Sequence, residues 1–162
     1  MSDIYELHTE AEFREAFPVL KELRPHLDEA QYFELLSAMR ERGYRMFAAR
    51  EDEQIVAIVG VEIAVNFHQG RHLWVYNLIA LPSVRHKGYG SRLMAFVEQF
   101  AQDEGCNNVT LWSGTFRTDA HHFYEDRMHY ERLGYVFSKD MRFCEEPAAE
   151  LIEQPVLEAM AV

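Results

Sequence analysis

The chain has 162 residues, 48% of them hydrophobic, and its 27 acidic against 16 basic side chains give a formal net charge of −11. That length suffices for one domain with its own core, and the acidic balance excludes nucleic acid as the main partner while favouring cationic small molecules. Two cysteines without a CxxC spacing exclude a disulfide framework, no apolar run approaches the ~18 residues of a membrane span, and Met-Ser-Asp-Ile-Tyr-Glu at the start lacks the features of a signal peptide, so a cytoplasmic location is expected.

Thr9-x-x-Glu12 has the form of a capping box, and Phe13, Ala16, Phe17, Leu20 and Leu23 follow at helical spacing. Pro18 inside that run predicts a kink or a late start. Pro25 ends it, and Asp28-x-x-Gln31 opens a second helix that stops at Gly43. Two helices are therefore expected before any sheet. Tyr44 to Arg50 and Gln54 to Asn66 read as strands around the turn Glu51-Asp52-Glu53, the second apolar enough to be covered on both faces. Phe67 to Gly70 is a short hairpin connection, so Arg71 to Leu81 is expected antiparallel to the preceding strand, and Pro82 stops the ladder. Ser91 to Glu104 reads as a third helix, Asn108 to Ser113 as a strand, Asp119 to Met128 as a fourth helix and Tyr135 to Phe143 as a last strand. The domain is expected to span 1–144, leaving 145–162 as a mobile tail or a short packing helix.

Arg85-His86-Lys87-Gly88-Tyr89-Gly90-Ser91 lies between a strand and a helix. A helix start offers unpaired N–H groups and positive dipole charge, and glycines let an anion approach the backbone. From Ile63 to Val97 there is no Asp or Glu, while Arg71, Arg85, Lys87 and Arg92 are present. A locally basic stretch in an acidic chain predicts a bound anion, a phosphate above all, although such glycines also occur as plain turns.

Taken with Ala120-His121-His122-Phe123-Tyr124-Glu125 on a helix, Arg85-x-x-Gly88-x-Gly90 and the element order resemble the GNAT superfamily of acyl-CoA-dependent N-acyltransferases. The resemblance covers about residues 4 to 143. It implies a mixed α+β fold, with a mostly antiparallel central sheet flanked by about four helices, acetyl-CoA as co-substrate and a small-molecule amine as acceptor. The pyrophosphate would sit on the backbone of Arg85, His86, Lys87, Gly88, Tyr89, Gly90 and Ser91. The pantetheine arm would bond the strand at Ile79, Ala80 and Leu81, and Tyr124 would protonate the leaving thiolate. Three departures stand out. Arg117 replaces an Asn that contacts pantetheine in many members, where it would meet a phosphate or a substrate carboxylate. Phe123-Tyr124 is followed by a segment one residue longer than usual, with His129 for Gly. A second match, Leu133-Gly134-Tyr135, comes later.

An amine acceptor is largely protonated at neutral pH, so a base is needed. Glu62 is the only acid in the apolar strand Ile55 to Val65 and is the candidate; the competing reading is a solvated carboxylate at the sheet edge. A backbone N–H near Ile79 is the candidate oxyanion donor. Tyr76 and Asn77 should point to opposite faces, so that only one lines the acceptor site. Trp74 and Trp112 read as core or pocket walls. The eight histidines include no i, i+4 helical pair of the zinc kind, so no metal is expected. No Cys or Ser has a base partner for an acyl-enzyme. A CoA-binding sensor without catalysis is the alternative function, and monomer and homodimer both remain open.

Overall fold

The computed structural model describes residues 4–143. In chain order these form β1 (Ile4–Glu6), α1 (Glu10–Leu23), α2 (Glu29–Glu41), β2 (Arg45–Glu51), β3 (Gln54–Asn66), β4 (Gly70–Ala80), α3 (Tyr89–Asp103), β5 (Val109–Leu111) and α4 (Thr118–His122), which continues as a π-helical turn over Phe123–Arg127. The result is a five-stranded sheet in the order β1-β2-β3-β4-β5, antiparallel except for the β4–β5 pair. Two units are described separately, residues up to Arg132 and those from Leu133 on.

Local signals account for most of this. Both N-terminal helices carry complete capping boxes, Thr9 with Glu12 and Asp28 with Gln31. The first helix runs unbroken through Pro18, so the late start does not occur. Each face of the sheet then buries one apolar layer. Phe13, Phe17 and Leu20 of α1, with Tyr32 and Leu36 of α2, pack on Met46, Ile58 and Ile79; Leu93, Met94 and Val97 of α3 pack on Val59, Leu73 and Val75 from the other side. From Ile55 to Val61 every residue of β3 is buried, as its unbroken apolar run predicts. Each such side chain contributes about 1.5–3 kcal/mol of burial.

Two expectations fail. A strand does precede the helices, because Ile4–Glu6 pairs antiparallel with Ala49, Ala48 and Phe47 of β2; three residues are too few to show a period. Tyr135 to Phe143 forms no strand: within the second unit 133–140 have no regular structure, with Tyr135, Val136 and Phe137 exposed, and Met141–Phe143 is one 3₁₀ turn. Loose alternation does not make a strand without a partner ladder. The expected tail, 145–162, lies outside the described residues.

Candidate active site

The site is made by two strands parting. β4 and β5 pair only from Leu73 with Val109 to Val75 with Leu111, although β4 continues on β3 to Ala80. Beyond Val75 and Leu111 the two chains diverge, and between them opens a cleft of about 490 Å³ including its mouth. Its walls include Tyr76, Asn77 and Leu78 on one side, Trp112, Ser113 and Gly114 on the other, and Arg24, Arg117 and Tyr124 around them.

A bulge in β4 shapes that wall. Gly60 faces Asn77 whereas Val61 faces Val75, which leaves Tyr76 as an extra residue. Tyr76 and Asn77 consequently share a face, contrary to simple alternation. Tyr44 touches both: its hydroxyl donates to Asn77 Oδ1 at 2.9 Å, and its ring lies 5.9 Å from that of Tyr76. The bulge also resets the main chain. Leu81 N–H donates to Val56 O at 2.8 Å, so in an antiparallel ladder Leu81 and Ile79 turn their peptide groups to β3, while Leu78 and Ala80 turn theirs to the open side. Of the strand residues expected to bond a pantetheine arm, Ala80 has its peptide group on the open side, those of Ile79 and Leu81 are turned to β3, and Leu78 shares the open side with Ala80.

Tyr124 sits in the π-helical turn. This turn absorbs the additional residue of the segment, and His129 then takes a left-handed φ of 60°, the conformation that glycine adopts most easily. The chain closes with Tyr130 N–H on Tyr124 O at 2.9 Å. Burial pushes the Tyr124 phenol up, and the charge of Arg117 pulls it partly back. Its hydroxyl has no protein partner among the described residues.

At the far end of β4, Pro82–Val84 makes a 3₁₀ turn and the loop enters α3 through His86 at φ 68° and Gly88 at φ 84°. The first hydrogen bond into the helix is Arg92 N–H to Gly88 O, so the amides of Tyr89, Gly90 and Ser91 are left open, two residues earlier than a helix beginning at Ser91 would place them. Phe123 lies 3.4 Å from where a Cβ on Gly90 would stand, which ties the loop to the Tyr124 turn. Arg85 and Lys87 already pair with Glu22 at 3.7 Å and Glu51 at 3.0 Å. Such exposed pairs are weak and exchangeable for a phosphate.

Glu62 is neither in the cleft wall nor at a solvated edge. Its side chain is 14% exposed, it accepts from the Tyr76 hydroxyl at 2.8 Å, and the Arg42 guanidinium stands 3.6 Å away. Burial, with the neighbouring Glu62 second, raises the Tyr76 phenol. The carboxylate thus reaches the cleft through Tyr76. Arg24, Ser113 and Leu78 carry no sequence signal, since the first lies at a helix C-cap and the others are defined only by where the strands part. Trp112 is half-exposed in the cleft wall. His72 is buried with its ring on Gly70 O at 3.0 Å. Among the described residues no group of three His, Cys, Asp or Glu side chains is placed to hold a metal ion.

The sequence profile of the Acetyltransferase (GNAT) family matches residues 1–130. The uncharacterized N-acetyltransferase YhdJ of Bacillus subtilis (strain 168) is 36% identical over 140 residues, 86% of this chain and 99% of that protein. The aminoalkylphosphonate N-acetyltransferase of Salmonella typhimurium is 28% identical over 97 residues, 59% of this chain and 61% of its own. Among solved structures, AAC(6')-Iy in complex with the bisubstrate analog CoA-S-monomethyl-acetylneamine superposes with a TM-score of 0.75 at 16% identity, over 86% of this chain and 98% of that one. A GNAT family acetyltransferase of Staphylococcus aureus gives 0.71 at 18%, over 87% and 100%. At such identities the structures share the fold.

Proposed function

The chain belongs to the Acetyltransferase (GNAT) family, and from that premise we propose that it transfers the acetyl group of acetyl-CoA to a primary amine of a small molecule by direct attack, with both substrates bound together. The observation that carries this reading is the joint placement of a partly buried phenol, Tyr124, and the unpaired edge of β4 on one cleft.

Acetyl-CoA supplies the reactive thioester. The open amides of Tyr89, Gly90 and Ser91 suit its pyrophosphate, as do Arg85 and Lys87 once released from Glu22 and Glu51. Ala80 and Leu78 offer main-chain groups to the pantetheine arm, and the Leu78 N–H is the donor for the carbonyl oxygen as it gains charge. Glu62 draws a proton from the ammonium through Tyr76 or a water, freeing the nitrogen lone pair to attack the carbonyl carbon. Tyr124 gives its proton to the sulfur as the carbon–sulfur bond breaks and regains one from the acylated nitrogen, which sheds its second proton; the products are the N-acetylated amine and CoA thiol, with the first proton left on Glu62. Support for a small acceptor comes from two proteins whose names specify one: the Salmonella relative acts on aminoalkylphosphonates, and AAC(6')-Iy, which has the same fold, was solved with an acetylneamine analog. The protein's net negative charge draws a protonated amine toward it.

Thiol release from acetyl-CoA against polyamines, aminoglycosides, amino acids and aminophosphonates tests the proposal. Turnover with a member of the panel is expected. CoA binding without turnover across the whole panel would identify a CoA-binding sensor instead.

A further inference from the structure

Among the described residues the cleft wall includes Arg24 and Arg117 and not one Asp or Glu, in a chain with 27 acids. Elsewhere acids are at hand: Arg14, Arg42, Arg45, Arg50, Arg71 and Arg85 each have a carboxylate within ion-pair distance. The guanidinium groups of Arg24 and Arg117 have no such partner among the described residues, and both side chains belong to residues only partly exposed. A cation that has lost part of its hydration without gaining a counter-ion favours an anion.

The uncharged groups of the wall agree. Asn77, 8% exposed, has its Oδ1 occupied by Tyr44 while, among the described residues, its Nδ2 has no acceptor and the buried Ser113 Oγ has no partner. These two atoms supply unused N–H and O–H donors beside the two guanidinium groups. A ligand that satisfies them must be rich in acceptors. None of Arg85 to Ser91 lines this cleft, so the open amides suited to a pyrophosphate belong to a separate place. A polycation, by contrast, would bring further positive charge against Arg24 and Arg117 with no carboxylate in the wall to receive it.

Resting on the acetyltransferase reading above, we infer that the acceptor is an amine that also carries an anionic group, a carboxylate or phosphonate, which Arg24 and Arg117 hold while the amine meets the thioester beside Tyr124. One end of this acceptor answers to the acidic protein as a whole, and the other to the two arginines of the cleft.

The test compares β-alanine and aminoethylphosphonate with ethylamine and spermidine as acceptors for the full chain with acetyl-CoA. The anion-bearing amines should show a kcat/KM at least about tenfold higher, and Arg24→Ala and Arg117→Ala should each remove most of that preference, with Arg24→Lys restoring part of it. Because the readout is a ratio between acceptors, a general loss of activity does not alter it. Equal or better turnover of ethylamine or spermidine would overturn the inference and leave acetyl transfer intact. So would a preference that survives both substitutions, or one that survives while the affinity for CoA, measured by calorimetry, falls; the arginines would then serve the cofactor's phosphates. Should no amine release thiol, the acetyltransferase reading fails, and calorimetry of aminoethylphosphonate with the CoA-loaded protein still decides the matter. Binding that both alanine variants lose upholds the anion site, and absence of binding overturns it.

Discussion

The Tyr44 hydroxyl donates to Asn77 Oδ1 at 2.9 Å directly above Gly60, whose missing side chain makes room for the bond. A Cβ at Gly60 would overlap that hydroxyl and stand 2.5 Å from Asn77 Oδ1. Gly60→Ala should therefore cost about 1–3 kcal/mol or more by overpacking. Tyr44→Phe removes the hydrogen bond to the buried Asn77 amide and should cost about 1–3 kcal/mol. Urea unfolding midpoints measure both, and unchanged midpoints would mean that the β4 bulge does not depend on this contact.

Tyr124→Phe should lower kcat by about 10²–10⁴ if the phenol is the proton donor, with little change in the KM for acetyl-CoA. The donor works only while protonated, and burial raises its pKa above the ordinary 10.0. Loss of activity from its ionisation therefore belongs above pH 10, and the rate between pH 7 and 9 should show no fall that the Phe variant abolishes. Full turnover by the Phe variant would remove Tyr124 from the chemistry.

Glu62→Gln should slow acetyl transfer most at neutral pH and progressively less toward pH ~10.4, where an ordinary alkylamine is already half deprotonated. Tyr76→Phe breaks the 2.8 Å hydrogen bond that links Glu62 to the cleft. If the proton passes that way, the two substitutions share one effect and the double variant is no worse than either alone. Additive losses, or a pH–rate profile identical to that of the wild type, would exclude the relay.

What the residues disclosed in advance was whatever local rules govern. Capping boxes at Thr9 and Asp28, the apolar run of β3 and the glycines at the start of α3 each act within a few residues, and each element formed at its signal, α3 starting two residues before the expected Ser91. The cleft follows another logic. That Tyr76 and Asn77 share a face, and that Leu78 rather than Ile79 opens its peptide group, depends on one bulged residue set by pairing with Gly60 and Val61. Register across strands is a long-range property, invisible to a period of two. Glu62 was recognisable as an anomalous acid in an apolar strand, but its partner Arg42 comes from the end of α2 and no local pattern joins them.

His129 carries a Cβ in the left-handed region, at φ 60°. Replacement by Gly relieves that strain but loosens the unfolded chain, so the net gain should be at most about 1 kcal/mol. His129→Val, β-branched at a positive φ, should instead destabilise by about 1–2 kcal/mol. Since Tyr130 N–H closes on Tyr124 O just beyond this residue, the Val variant should also lower kcat, whereas the Gly variant should not. Thermal unfolding and turnover measured on both variants separate backbone strain from any role of the imidazole, which the Gly variant would lose as well.

Arg45 makes two kinds of contact, an ion pair to β1 and ring contacts to β2 and α3, and pH tells them apart. Its guanidinium donates to Glu6 through Nε at 2.8 Å and Nη2 at 2.6 Å, and also lies 5.4 Å from the Phe47 ring centre and 4.6 Å from that of Phe100. The hydrogen bonds from Arg45 hold the Glu6 carboxyl below its ordinary 4.5. A depressed carboxyl pKa stabilises the fold above the unfolded value, and that contribution disappears as pH falls from about 4.5 through the lower folded value. Because both partners are partly exposed, at 36% for Arg45 and 22% for Glu6, solvent screens the pair and the contribution is at most about 1 kcal/mol. Glu6→Gln should therefore be less stable than the wild type at pH 7 and match it in strong acid. Arg45→Ala loses the aromatic stacking as well, which no carboxyl titration restores, so its deficit should exceed that of Glu6→Gln at pH 7 and persist in acid. Unfolding midpoints at the two pH values decide it: if the Arg45→Ala deficit also vanished in acid, the ion pair alone would account for what Arg45 contributes to stability.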